Sequence, residues 1–172
     1  MKLQPDTFDA QALRGVYTVI EPTDVELPFF REVPVAPGSN KTHVIVDNSQ
    51  PIRLPRSHLD SLEINYGDAI CAYMIGNSMA DKIQAGSLIG LDRGLTRIID
   101  GEMYALEHSG MLRVKYLYRL PGNGLRLRSH NSAEYPDELF TAEQIEEQGI
   151  RVLGWVFWWS TLNIQRPTLP FR

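Results

Sequence analysis

Two side chains in this 172-residue sequence have the types needed for peptide-bond chemistry without a histidine base: Ser78 and Lys115. Ser78 lies in Gly76-Asn-Ser-Met79, directly after the apolar run Ala69-Ile-Cys-Ala-Tyr-Met-Ile75. A serine leaving a core strand beside a glycine is well placed to present its hydroxyl at a sheet edge. The plain alternative is a turn or capping serine, with the glycine present only for the turn. Lys115 lies in Met111-Leu-Arg-Val-Lys-Tyr-Leu-Tyr-Arg-Leu120. Strand alternation puts Leu112, Val114, Tyr116 and Tyr118 on one face, and Arg113, Lys115, Leu117 and Arg119 on the other. The plain alternative here is a solvated strand lysine. To act as a base, the amine must be neutral near pH 7, against an ordinary pKa of about 10.4. Burial, helped by a neighbouring cation such as Arg113 or Arg119, moves it that way. A desolvated amine can then replace the imidazole of a serine hydrolase, with no partner aspartate required.

The elements that must position these groups are mostly short strands. Extended segments are expected at Val25–Val33, His43–Val46, Ile52–Leu54, Ala69–Ile75, Ser87–Asp92, Glu102–Glu107, Met111–Leu120, Leu125–Arg128 and Ile150–Trp159. His108-Ser-Gly110 reads as a hairpin connection, and Pro37-Gly38 suits the centre of a type II turn. A short helix is expected over Arg56–Leu62, with Ser57 as its N-cap and Leu59 and Leu62 three apart. Thr141-Ala-Glu-Gln144 has capping-box form and starts a second helix that ends near Gly149. About nine strands and two short helices make a mainly β fold of sandwich or barrel type. Residues 1–24 read as an arm or linker, 25–166 as the folded domain and 167–172 as a tail.

Composition narrows the function classes. The chain is 43% hydrophobic and 22% charged, as soluble globular domains are, and its net charge is −4. It offers no basic field for phosphates, so any contact with DNA is expected through another segment. Cys71 is the single cysteine, which rules out an intrachain disulfide and suits a reducing, cytoplasmic setting. Its apolar neighbours favour a buried, inert thiol. The N-terminal residues lack the apolar stretch of a signal peptide, and the run Val152–Trp159 is about a third of a membrane span. His43, His58, His108 and His130 are far apart and lack metal-ligand spacing, and no phosphate-binding glycine loop is present. No metal or cofactor is therefore expected. Glu143, Glu146 and Glu147 read as a solvated helix face.

The joint setting of the two residues is more specific than either alone. Ile75-Gly-Asn-Ser-Met79, followed by Ile83, Gly86 and Leu91-Asp92, resembles the serine box of the LexA, phage repressor and UmuD superfamily of S24-type peptidases. Asp100-Gly-Glu-Met-Tyr-Ala-Leu106 and Leu112-Arg-Val-Lys-Tyr-Leu117 resemble its lysine box. Leu127-Arg-Ser-His-Asn131 with Tyr135-Pro136, and Val152-Leu-Gly-Trp-Val156, match its closing segments. Val25-Glu-Leu-Pro28, Ala69-Ile-Cys-Ala72 and Gly154-Trp-Val-Phe-Trp-Trp-Ser160 are similar to the C-terminal domains of pyocin-type prophage repressors. The resemblance covers about residues 25–160, with the motifs in family order.

The resemblance implies a LexA-like C-terminal domain in which Ser78 is the nucleophile and Lys115 its base. It implies attack on a bond of the same chain, here Pro37-Gly38, where the family usually has Ala-Gly. Proline at this position removes an N–H that could pair with the site, so slow cleavage is expected. Asp81 stands where the family often has proline, a departure that leaves the dyad untouched. A homodimer formed partly through the last strand is implied, with Trp155, Trp158 and Trp159 as candidate anchors; core packing is the equal alternative. An activated RecA filament is the implied stimulator, and operator DNA is expected to be met only by a helix-turn-helix domain that this sequence lacks. Two other classes stay open: a UmuD-like accessory subunit of an error-prone polymerase, and a non-catalytic dimerisation partner of a full repressor. A signal-peptidase-like enzyme shares the chemistry, and the lack of a membrane anchor argues against it.

Overall fold

A computed structural model describes residues 23–162. The expected arm therefore lies outside the described residues except at its last two positions, and the tail lies wholly outside them. Nine strands are described: β1 (Asp24–Pro34), β2 (Thr42–Pro55), β3 (Ala69–Tyr73), β4 (Leu88–Asp92), β5 (Met103–His108), β6 (Met111–Leu120), β7 (Gly124–Arg128), β8 (Glu138–Phe140) and β9 (Arg151–Ser160). Two short helices join them, α1 (Arg56–Asp60) and α2 (Ala142–Glu147). The mainly β expectation matches this architecture. All nine strands form one sheet in the order β2-β1-β3-β4-β9-β5-β6-β7-β8.

That sheet curls upon itself. β2 and β5 are five places apart in the order, yet the Val44 N–H donates to Glu107 Oε1 and the Thr42 hydroxyl donates to the Gly110 carbonyl, at 3.2 and 2.9 Å. The Leu112 N–H likewise donates to the Glu32 carboxylate, joining β6 to β1. Closure brings Phe30 of β1, Ile70 of β3, Met103 of β5, Val114 of β6 and Val156 of β9 into one buried cluster with Met79 and Ile83. A sheet rolled this way covers both faces of most strands, so burial no longer alternates cleanly along β3, β5 and β6.

Local chemistry explains the departures from the sequence pattern. His43–Val46 and Ile52–Leu54 are one strand rather than two. Across from them β1 shifts register between Leu27 and Phe29, where Pro28 has no N–H to give, and residues 48–51 span the gap. Pro51 is tolerated because β2 is an edge strand. β8 was not expected; three residues are too few to show a period. Helix α1 starts directly after Pro55, which occupies the N-cap position without any side-chain cap, so Ser57 is not the cap. The helix stops at Asp60, and Leu62 is exposed while Leu59 is buried. The turns behave as read: Ser109 and Gly110 both have positive φ (50° and 82°), as a two-residue type I′ hairpin demands. Thr141 and Gln144 close the expected capping box.

Candidate active site

β3 delivers Ser78. After Tyr73 the ladder with β4 continues for one residue, Met74, whose N–H bonds to the Ser87 carbonyl at 2.8 Å. The chain then turns away at Gly76, whose φ of +75° favours glycine. Ser78 follows, half-buried, between this turn and the fully buried Met79. The N–H groups of Lys82 and Ile83 both bond to the Met79 carbonyl, and Ile83 is buried as well. Burying side chains like these is worth about 1.5–3 kcal/mol each, which fixes the backbone on the C-terminal side of the serine.

β6 delivers Lys115. Its side chain is 2% exposed, so the solvated-lysine alternative does not describe it. Nζ donates to Ser129 Oγ at 2.7 Å and lies 5.6 Å from the centre of the Tyr135 ring. Burial, first, and the Arg113 charge, second, pull its pKa from an ordinary 10.5 to about 8, against an opposing pull from Glu138. Arg119, the other cation considered, is turned to Asp100 by a 3.0 Å ion pair and is not among the causes of the shift. Cys71 is buried, with its thiol pushed up to about 12, in keeping with an inert core residue.

Ser78 and Lys115 line the same cleft, about 170 Å³ in volume, together with Asn77, Arg113, Val114 and Tyr135. One short segment braces both sides of it. At the exit of β7, Ser129 receives the amine, the His130 N–H points at Met79 Sδ (3.4 Å), and the Asn131 N–H donates to the Ser78 carbonyl (3.0 Å). The Asn131 side chain also donates to the Asn77 carbonyl at 3.4 Å. Ser129 was given no role from sequence, although the signal was present. The β6–β7 hairpin pairs Leu120 with Gly124 and Tyr116 with Arg128, and one further step of that register sets Ser129 opposite Lys115.

Pro37 and Gly38 are not in the cleft. They are exposed in the turn between β1 and β2, where the Ser39 N–H bonds to the Ala36 carbonyl (2.9 Å) and Gly38 has φ +76°, the type II geometry read from the sequence. Trp155, Trp158 and Trp159 are half-buried on β9, the central strand of the sheet. A bulge opposite Gly90 and Leu91 makes Phe157 the extra residue and breaks the alternation. Trp155 and Trp158 accordingly share one core cluster, Trp155 also packs on a second, and Trp159 packs on a third.

Comparison with known proteins adds an independent line. The model of the family described as Peptidase S24-like matches residues 31–157. This chain belongs to that family. It is 46% identical over 149 residues to the HTH-type transcriptional regulator PrtR of Pseudomonas aeruginosa, and 32% identical over 151 residues to the repressor protein CI of Enterobacteria phage phi80. Each match takes in 87% of this chain, but only 58% and 61% of the two relatives. The Peptidase S24-like match encloses both the Ser78 turn and the Lys115 strand. Among the described residues, no helix is long and apolar enough to cross a membrane.

Proposed function

We propose that this chain is the regulatory, dimerising and self-cleaving domain of a LexA- or CI-like transcriptional repressor, with Ser78 as nucleophile and Lys115 as general base. The observation that carries the proposal is a buried, hydrogen-bonded amine sharing one cleft with a half-exposed serine. Neutral Lys115 takes the proton of the Ser78 hydroxyl as Oγ bonds to the Pro37 carbonyl carbon. The same amine then returns the proton to the Gly38 nitrogen as the Pro37-Gly38 bond breaks. Water attacks the resulting Ser78 ester and gives a proton to Lys115, which passes it to Ser78 Oγ as the ester bond breaks and the Pro37 carboxyl group is freed. Cleavage first requires the β1–β2 turn to leave its exposed position and enter the cleft, and proline removes one backbone donor for docking there. The reaction is therefore slow. The names of the two relatives support the repressor assignment. On this reading a homodimer forms through the β9 tryptophans, operator contact belongs to a helix-turn-helix segment, and a RecA filament stimulates cleavage.

The exposed Pro37-Gly38 turn also favours a second reading: a dimerisation module that never cuts. Incubating the purified chain at alkaline pH and weighing the products separates the two. A self-cleaving domain should slowly release a fragment beginning at Gly38, and Ser78→Ala should abolish it. An intact wild-type chain selects the non-catalytic module, and rapid conversion refutes the claim that proline slows the reaction.

A further inference from the structure

Arg113 stands two residues before Lys115 on the same face of β6 and lines the same cleft, yet it is fastened from the far side. Its guanidinium forms a two-pronged pair with the Glu138 carboxylate of β8. One of its nitrogens also lies 2.6 Å from His108 Nδ1, at the end of β5. Arginine has only donors, so Nδ1 must accept, and the ring proton belongs on Nε2. Nε2 lies 2.7 Å from Gln148 Oε1, an acceptor that suits that proton, and the edge-on Phe140 ring holds the imidazole in place. His108 is 8% exposed, so this contact is largely shielded from water. Three strands and the end of α2 thus meet to hold one arginine still. An exposed arginine would keep its rotamer freedom; holding this one still costs side-chain entropy.

We propose that Arg113 is a positioning residue for the cleft: clamped by Glu138 and His108, it sets a fixed cation beside the Lys115 amine, and the balance between Arg113 and Glu138 sets the pH at which that amine becomes a base. The inference rests on the reading of Lys115 as the base. The groups facing the amine are few. Arg113 stands on its own strand, Ser129 accepts its hydrogen bond, and the Tyr135 ring lies nearby. Glu138 acts on it from β8, and Ser78 shares the cleft. Tyr104, its register partner on β5, has its hydroxyl engaged by the Ile99 N–H and the Arg97 carbonyl. Among the described residues, only Arg113 and Glu138 bring charge to it, and they pull in opposite directions.

The test uses two readouts on the full chain. One is the pH midpoint of the Lys115 side chain, followed by 13C NMR of labelled lysine in the uncut Ser78→Ala protein. The other is the pH midpoint of self-cleavage. Arg113→Gln should raise both midpoints by about half a pH unit or more, Arg113→Lys should restore most of that change, and Glu138→Gln should lower both by a similar amount. Midpoints that stay put in Arg113→Gln and Glu138→Gln, in proteins whose β-sheet circular dichroism is unchanged, overturn the inference while leaving the dyad intact. If the NMR midpoints move as stated but no variant cleaves, the inference stands and the assignment of Lys115 as base falls.

Discussion

Replacing Lys115 with methionine keeps the volume and removes the charge, and its effect on stability follows from the cleft. The amine titrates near 8 in the folded protein and near 10.5 when ordinary and solvated. Between those values the unfolded chain holds a proton that the folded chain has released, so wild-type stability rises with pH across that window and is flat below it. The full difference of 2.5 pKa units, at 1.36 kcal/mol each, is about 3 kcal/mol. Little discount for solvent applies to a side chain 2% exposed. Against this gain, Lys115→Met strands the buried Ser129 hydroxyl, at about 1 kcal/mol. At pH 7 the variant should therefore be more stable than wild type by about 2 kcal/mol, and by pH 10 the advantage should vanish or reverse. Urea denaturation at pH 7, 8, 9 and 10, with Ser78→Ala in both proteins to prevent cutting, measures it. Other alkaline groups titrate alike in both proteins and cancel. Stability curves that run parallel over this range would refute the claim that folding strips the amine of its proton. A functional residue held at the expense of stability is the expected trade.

Three further outcomes follow from the packing and the site. Gly110→Ala should destabilise by about 3 kcal/mol or more: φ is +82° and the new Cβ would sit 1.8 Å from the Thr42 carbonyl oxygen, at the closure of the curled sheet. Gly122→Ala, at φ +70° with open space around it, should lose only about 1 kcal/mol, and thermal melts of the pair compare them. Trp158→Arg should shift sedimentation toward monomer with the circular dichroism retained; an unchanged dimer would remove Trp158 from the interface. Asn131→Ala, which frees the Asn77 carbonyl from its side-chain donor, should slow cleavage several-fold without moving its pH midpoint, read from fragment yield over time.

The elements were legible wherever local chemistry decides them. The His108-Ser-Gly-Met111 turn, the Thr141 capping box and the Pro37-Gly38 turn each follow from a few neighbouring residues, and each has the geometry read for it. What could not be read depends on residues distant in sequence. Closure of the sheet rests on β2 reaching the β5–β6 hairpin, across 63 and 68 residues of chain, and nothing in the Thr42–Val44 pattern points there. The setting of Lys115 is likewise supplied from afar, by Ser129 just past β7, by Tyr135, and by Glu138 on a three-residue β8 with no periodic signature. Alternation on β6 placed Lys115 beside Leu117, itself fully buried, but the same pattern put Arg113 and Arg119 there too. Only the family motifs separated the lysine from its neighbours. Ser129 is the residue that could have been found and was not, since hairpin counting alone sets it across from Lys115.

The most direct measurement is the rate of cleavage of the purified chain as a function of pH, from 6 to 10.5, with Lys115→Ala alongside. The rate should climb with a single titration, half-complete near pH 8, level off above it, and be absent in the lysine variant. A rate that keeps climbing tenfold per pH unit without a plateau, or one that Lys115→Ala leaves untouched, would mean that hydroxide and not this buried amine removes the serine proton.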